Sequence, residues 1–302
     1  MNCSENALVL SGRNGLYAVE TADGTVLSCR SAARIRKDGW KLCAGDRVTV
    51  EDNGDGTGFI REIAERKNSL VRPPVANVGL LVLVAAASDP APDPFVIDKM
   101  TVVAEQEKIP LAIAVTKCEL GGGEDLERIY RLTPYPVFPL SSGGSVGSEP
   151  LLEYMKGRIT VFCGASGVGK STLLNTLFPS LHAEVGDLSA RIRRGKNTTR
   201  VTSLHRISEG TYVADTPGFT SMDVSRYASI PKESVAGLFP EFRDCLTKCR
   251  YTHCTHLCEE GCAVLEAVSD GRISPSRHRS YCAIYLDRKA HPSYENKGRR
   301  NT

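Results

Sequence analysis

The chain has 302 residues, of which 41% are hydrophobic and 24% are charged, and its formal net charge is +3. This length allows two or three domains with a sizeable core, and the composition is ordinary for a soluble globular protein. Apolar runs of the roughly 20 residues needed to span a bilayer are absent, and the N-terminus lacks the pattern of a secretion signal. We therefore expect a cytoplasmic protein without membrane contact.

Short apolar runs separated by turn signals occupy residues 7–71. The dipeptide DG at 23–24 divides two strand-like runs, and NGDG at 53–56 divides two more. Strands at this spacing, without a helical period, predict a small antiparallel barrel or sandwich. An RNA-binding OB barrel is one option, and a barrel used only for packing is the other. The segment VRPPVAN then breaks the pattern and marks a domain boundary.

From Val78 onward, strand-like and helix-like segments alternate. The apolar runs VGLLVLVAA, PLAIAVTK and RITVFCG read as buried strands, and FVIDKMTVVAEQEK and EDLERIYRL read as helices. This alternation predicts a mostly parallel, doubly wound sheet, with SSGGSVGSEP as a flexible link inside it. After DTPGF the alternation stops, and the remainder is predicted to be helical with a basic end.

The segment GASGVGKS, from Gly164 to Ser171, fits the phosphate-loop pattern G-x-x-x-x-G-K-[ST] between a strand and a helix. Its glycines would let backbone N–H groups approach phosphates, Lys170 would supply positive charge, and the Ser171 hydroxyl would bind Mg²⁺. In TYVADTPGF, Asp215 would reach Mg²⁺ through water and the Gly218 N–H would sense a γ-phosphate. The predicted nucleotide-binding residues here are Gly164, Ala165, Ser166, Gly167, Val168, Gly169, Lys170, Ser171, Thr172, Asp215 and Gly218.

The motif that reads a guanine base is normally N-K-x-D on a later strand, but nothing after Gly218 fits it. Upstream of the phosphate loop, a buried strand ends in TKCE at 116–119, and PLSS follows after a helix and matches the loop whose backbone caps guanine. Since both elements precede the phosphate loop, the pattern indicates a circularly permuted GTPase. The predicted guanine-binding residues are Thr116, Lys117, Glu119, Ser141 and Ser142.

This motif order, with a β-barrel before it and a cysteine-rich helical end after it, resembles the ribosome small-subunit-dependent GTPase family, also called RsgA or YjeQ. The resemblance covers essentially the whole chain. It implies an OB-like barrel at 1–71 that binds RNA or the ribosome, a permuted α/β P-loop GTPase domain at 72–224, and a helical zinc-binding domain with a basic tail at 225–302. It also implies binding to the maturing small (30S) ribosomal subunit and its rRNA, GTP hydrolysis there, and release with GDP. A monomer is the default expectation.

Two features of the chain depart from the family pattern. Thr116 replaces the usual Asn, and Glu119, which reaches one methylene further than Asp, must supply the carboxylate for guanine N1–H and N2–H. The family's switch I resembles G-[RK]-H-T-T, and here Asn197 replaces a histidine that is implicated in hydrolysis. Because Phe219 also stands where other GTPases place a water-orienting Gln, we expect slow intrinsic turnover. The catalytic candidates are Lys170, Asn197, Thr198 and Thr199, and the magnesium candidates are Ser171, Thr198, Thr199 and Asp215.

The segment CRYTHCTHLCEEGC has the spacing Cys249-x4-Cys254-x-His256-x5-Cys262. Three thiolates and one imidazole form a closed tetrahedral set, which is the usual structural zinc arrangement and matches the family's zinc segment. His253 and Cys258 are further candidate ligands in the same loop, and a set of buried thiols without metal is the alternative.

Switch I carries a basic cluster that has two interpretations. It could contact the phosphate backbone of RNA, which would make RNA binding depend on the nucleotide state, or it could be a solvated basic loop. Its members are Arg191, Arg193, Arg194, Lys196 and Arg200. Two other functions compete with a ribosome-dependent GTPase. One is a ribosome-binding GTP/GDP switch with vestigial hydrolysis, and the other is a P-loop ATPase or kinase, against which TKCE and PLSS argue.

Overall fold

A computed structural model describes residues 2–32, 35, 41–179, 202–215 and 227–291 of the chain. The strands of these residues are β1 (Asn2–Arg13), β2 (Leu16–Glu20), β3 (Val26–Ser31), β4 (Arg47–Asp52), β5 (Thr57–Ile63), β6 (Ser69–Leu70), β7 (Val75–Ala76), β8 (Leu80–Ala86), β9 (Leu111–Thr116), β10 (Val137–Pro139), β11 (Ile159–Cys163), β12 (Ser203–Ser208) and β13 (Thr211–Asp215). The helices are α1 (Pro94–Gln106), α2 (Gly123–Tyr130), α3 (Glu149–Met155), α4 (Lys170–Leu177), α5 (Arg243–Leu246), α6 (Ala263–Ser269) and α7 (Pro275–Ala290). Short 3-10 helices occupy Cys118–Leu120, Ser142–Gly144, Tyr227–Ser229, Lys232–Ser234, Ala236–Leu238 and Pro240–Phe242.

The chain divides into two compact units, each built from several segments. The first unit falls within Met1–Leu81, Glu149–Cys163 and Ser171–Thr220. The second falls within Val82–Ser148, Gly164–Lys170 and Ser221–Thr302.

Five strands of the first unit close into a barrel. β1 pairs antiparallel with both β2 and β4, and β3 pairs in parallel with β5, so the order β1-β2-β3-β5-β4 returns to β1. Register shifts in β1 mark bulges, which bend a strand and help a small barrel to close. Every second residue points inward, which buries Val9, Val19, Leu27, Val48 and Ile60 in one core. The predicted OB-like barrel is confirmed.

The first unit also contains three strands from later in the chain. β13 pairs in parallel with β11 and antiparallel with β12, and β12 contacts the barrel strand β1 at Ser11 and Ser203. The buried carboxylate of Glu20 in β2 links the barrel to β12 and β13. It accepts hydrogen bonds from Arg206 at 2.8 Å and from the Tyr212 hydroxyl at 2.5 Å.

The second unit begins with an α/β arrangement in which β9 lies between β8 and β10. β9 and β10 run parallel, with Val137 opposite Ile113. The sequences LLVLVAA of β8 and LAIAVT of β9 are buried at every position, as is typical of strands covered on both faces. Asp93 caps α1 by accepting the Phe95 N–H at 2.9 Å, and Pro94 occupies the first turn, where no backbone donor is needed. The predicted α/β domain is confirmed.

The C-terminal part of the second unit is helical, as predicted, and packs around an aromatic cluster. The ring centroids of Phe239 and Phe242 are 5.1 Å apart, and Tyr281 of α7 lies at the same distance from Phe242. All three side chains are buried. Among the described residues, no helix is both long and apolar enough to cross a membrane.

Candidate functional site

The glycine-rich segment forms a tight loop between the buried strand β11 and the first turn of α4. Gly164 admits no larger residue, because a Cβ atom there would lie 2.3 Å from the carbonyl oxygen of Val84. Gly167 and Gly169 have φ values of +81° and +85°, a region that favours glycine. Lys170, the first residue of α4, directs its ammonium back over the loop, 3.4 Å from the Gly164 carbonyl oxygen. Backbone N–H groups at such a helix start form a site for phosphate.

The predicted base-reading motif meets this loop within the second unit. The Thr116 hydroxyl donates to the Val168 carbonyl oxygen at 2.5 Å, and Lys117 Nζ donates to the Gly167 carbonyl oxygen at 3.0 Å. Lys117 Nζ also donates to the carbonyl oxygen of Asp89. Residues that are about fifty positions apart in the chain are thus joined, as expected if the motif order is permuted.

The other predicted guanine contacts also lie together. The backbone N–H of Ser142 donates to the Glu119 carboxylate at 3.0 Å, and both residues are exposed. Ser141 is placed by a backbone bridge to Val146, with its N–H 3.1 Å from that carbonyl oxygen. The Glu119 carboxylate and the loop of Ser142 are therefore held together by a direct hydrogen bond.

The remaining predicted nucleotide contacts belong to the first unit or are not described. Ser171 and Thr172 are exposed on α4, and Asp215 is half-buried at the end of β13. His205 of β12, which the sequence analysis missed, has Nε2 3.9 Å from the Asp215 carboxylate. Two predicted sets lie outside the described residues. The first is the switch residues Asn197, Thr198, Thr199, Gly218 and Phe219, and the second is the basic residues Arg191, Arg193, Arg194, Lys196 and Arg200.

A Cys3His cluster lies in the C-terminal part of the second unit. Its ligand atoms all lie within 4.8 Å of one another, and its members are Cys249, Cys254, His256 and Cys262. The Cys249 and Cys262 sulfurs are 4.0 Å apart, and His256 Nδ1 is 3.5 and 3.4 Å from them. Tetrahedral zinc with ordinary bond lengths would require roughly 3.8 Å between sulfurs and roughly 3.6 Å between sulfur and nitrogen. The donor set and its spacing therefore fit zinc.

The loop that carries this cluster is held in shape by polar contacts. The Glu259 carboxylate accepts the Thr255 N–H at 2.7 Å and the Leu257 N–H at 3.0 Å. Burial raises the pKa of Glu259, but these and further hydrogen bonds outweigh it and lower the pKa to about 2. From α7, His278 Nε2 lies 2.8 Å from the His256 carbonyl oxygen, and the Tyr281 hydroxyl donates to the Thr255 carbonyl oxygen at 2.7 Å. The cluster is thus preorganised by its surroundings.

The two further ligand candidates are placed differently. His253 and Cys258 are both exposed, and neither belongs to the only group of three or more metal-ligating side chains found among the described residues. The spacing of the segment left the choice of ligands open. Exposure now separates His253 and Cys258 from the four side chains of the cluster.

A buried ion network that the sequence analysis missed joins α7 to α1. Arg277 is fully buried and donates to Asp98 at 2.7 Å, to Thr101 at 3.0 Å and to Glu241 at 2.6 Å. The Tyr130 hydroxyl also donates to Asp98, at 2.7 Å. Its members are scattered along the sequence, so no local spacing points to the network.

The family model described as RsgA GTPase matches residues 63–225, which is more than half of the chain. The chain belongs to the RsgA GTPase family.

Curated RsgA relatives and solved structures extend this similarity over nearly the whole chain. A protein of Caldanaerobacter subterraneus subsp. tengcongensis, named small ribosomal subunit biogenesis GTPase RsgA, is 38% identical over 284 residues, which are 93% of this chain and 95% of the relative. The crystal structure of YjeQ from Thermotoga maritima is 31% identical with a TM-score of 0.79, covering 98% of this chain and 99% of that one. The structure of YloQ, described as a circularly permuted GTPase, is 30% identical with a TM-score of 0.78, covering 97% and 98%.

Membership of the RsgA family makes this chain a GTP hydrolase and implies GTP, GDP and Mg²⁺ as its ligands. The phosphate loop fits such a ligand, because it precedes the first turn of α4 and the Lys170 ammonium lies over it. The alternative of a P-loop ATPase or kinase is thereby excluded. The circular permutation inferred from motif order is confirmed.

Proposed function

We propose that this RsgA-family GTPase acts in the maturation of the small (30S) ribosomal subunit, binds that subunit, hydrolyses GTP on it and leaves with GDP. One observation carries the proposal. The permuted base motif and phosphate loop are joined by direct hydrogen bonds in a chain that aligns, from the barrel to the Cys3His cluster, with relatives named for small-subunit biogenesis.

The proposed nucleotide site combines the phosphate loop 164–172 with the base-reading residues at 116–119 and 141–142. Lys170 is suited to the β- and γ-phosphates, since its ammonium already lies over the loop. The Glu119 carboxylate is suited to guanine N1–H and N2–H, because it already accepts an N–H from the loop of Ser142. Proposed Mg²⁺ ligands are Ser171 and Asp215 with Thr198 or Thr199 from switch I.

Hydrolysis is proposed to be slow in the free protein. Asn197 and Phe219 lack a group that can take a proton from the attacking water at neutral pH. We therefore expect Asn197→His to raise intrinsic turnover. Unchanged turnover in that variant, or fast hydrolysis by the wild type without ribosomes, would contradict this part of the proposal.

The Cys3His cluster is proposed to bind one structural Zn²⁺. Four protein ligands close the coordination sphere, so the metal would hold the loop rather than act on a substrate. His253 and Cys258 are not assigned as ligands, because their exposure leaves them outside the cluster.

The barrel is proposed to contact rRNA, in a monomeric protein with domains at 1–71, 72–224 and 225–302. A groove of about 490 Å³ runs over β1–β3, the face that OB-like barrels use for oligonucleotides, and Arg13, Tyr17 and Val26 line it. Arg13→Ala should weaken small-subunit binding. It should also reduce the slope of log binding constant against log salt concentration by about one. Arg61→Ala is the control, because Arg61 lies on β5 and does not line the groove.

The function is tested by measuring GTP hydrolysis by the protein alone, with purified small subunits and with large subunits. We expect stimulation by small subunits only. Tight GTP-dependent binding without stimulation would instead support a switch with vestigial hydrolysis. Absence of binding to either subunit would refute the ribosomal function.

A further inference from the structure

The hydroxyl of Thr116 occupies a buried position between β8 and the phosphate loop. The residue is only 2% exposed, and its Oγ1 lies 2.5 Å from the Val168 carbonyl oxygen and 3.2 Å from that of Ala85. A hydroxyl carries one proton. Because the contact with Val168 is the shorter of the two, we assign this proton to the phosphate loop.

A phosphate loop works by turning successive N–H groups toward the ligand, which forces its carbonyl groups to point away. Val168 is buried, so its carbonyl oxygen needs a donor inside the protein. Thr116 supplies that donor, and Lys117 does the same for Gly167 at 3.0 Å. Thr116 also packs beneath the loop, with its Oγ1 3.6 Å from where a Cβ atom of Gly169 would be.

Guanine presents two acceptors, N7 and O6, beside its N1–H and N2–H donors. An asparagine has two amide N–H donors, so it can bond to the loop and still offer one to the base. Threonine cannot do both with a single proton. The donors for guanine O6 and N7 therefore come from elsewhere in the site, such as the ammonium of Lys117, which has three protons and donates two of them to carbonyl oxygens.

We propose that Thr116 is a positioning residue that fixes the phosphate loop and does not read the base. This inference rests on the proposed nucleotide site. It assigns the choice of guanine to Glu119 and the loop of Ser142, while Thr116 sets the affinity for every nucleotide that uses the phosphate loop.

The test compares binding of GDP and 7-deaza-GDP, which lacks the N7 acceptor, in the presence of Mg²⁺. Thr116→Val removes the hydroxyl with little change of shape, and Thr116→Ser keeps it. We expect Thr116→Val to weaken both nucleotides by about ten-fold, the size of one lost hydrogen bond to a buried acceptor. The ratio of the two dissociation constants should equal that of the wild type, and Thr116→Ser should restore both affinities.

Glu119→Ala is the control for base reading, and it should change the ratio of GDP to IDP affinity, since inosine lacks the N2 amino group. Thermal unfolding without nucleotide checks that each variant is folded. A folded Thr116→Val with unchanged GDP affinity would overturn the proposal, as would a 7-deaza ratio that differs more than threefold from the wild type. A wild type that binds GDP no better than ADP would refute the guanine-nucleotide function itself, and this inference with it.

Discussion

Replacing Arg277 with methionine should destabilise the second unit by roughly 3–5 kcal/mol, because the change removes one partner of a buried ion network and leaves the others unpaired. Arg277 is 0% exposed and its partners Asp98 and Glu241 are 0% and 3% exposed, so solvent cannot replace the guanidinium. Methionine fills similar space, and the loss is therefore mainly electrostatic.

The size of the loss should depend on pH. Burial raises the pKa of Asp98, although the charge of Arg277 and hydrogen bonds lower it in part. Without Arg277 this pKa rises further, so the folded variant holds a proton on Asp98 more tightly than the unfolded chain does. That stabilisation is present at low pH and is lost as pH rises through the folded pKa, so the deficit should be larger at about pH 8 than at about pH 5.

Amide hydrogen exchange is the suitable assay, because a protein of several units need not unfold in one step. We expect exchange in α1 and α7 to accelerate in Arg277→Met, and Asp98→Asn added to that variant to restore part of the protection. Arg272→Met is the control, since the Arg272–Asp270 pair is 60% and 61% exposed and should contribute little to stability. If the amides of α1 and α7 are as well protected from exchange in Arg277→Met as in Arg272→Met, the reasoning about burial is wrong.

Three further changes have definite expected results. Cys262→Ser should lower zinc content measured by mass spectrometry and loosen the cluster loop, whereas Cys258→Ser should leave both unchanged; equal losses would contradict the ligand assignment. Glu259→Gln should speed zinc release to a chelator at neutral pH, because the change removes the carboxylate that accepts the Thr255 and Leu257 N–H groups; an unchanged release rate would show that these contacts do not hold the loop. Gly164→Ala should weaken GDP binding at least ten-fold in a titration, because its Cβ would lie 2.3 Å from a carbonyl oxygen of β8, and near-normal affinity would show that the loop can shift.

The elements that sequence reasoning predicted well are those defined by local patterns. The phosphate loop is a contiguous motif with its strand and helix on either side, and the Cys3His cluster lies within fourteen residues, so spacing alone indicated both. Arg277 and Asp98 are 179 residues apart, and their pairing depends on how α7 packs on α1. Thr116 is an intermediate case. The sequence marked it as part of a base motif, but only the fold shows where its single proton is directed.

The contacts of α7 explain why the C-terminal helices belong to the same compact unit as the base motif. Arg277 of α7 bonds to α1, and the next residue, His278, contacts the backbone of the cluster loop. α1 begins at Pro94, five residues after Asp89. The Asp89 carbonyl oxygen accepts a hydrogen bond from Lys117, the residue that also bonds to the phosphate loop. Each link is a hydrogen bond to a backbone carbonyl or a buried carboxylate. Leaving such an acceptor unpaired destabilises the folded protein. The cluster loop and the phosphate loop are therefore joined through packed elements in this unit, and this connection does not pass through the switch segments.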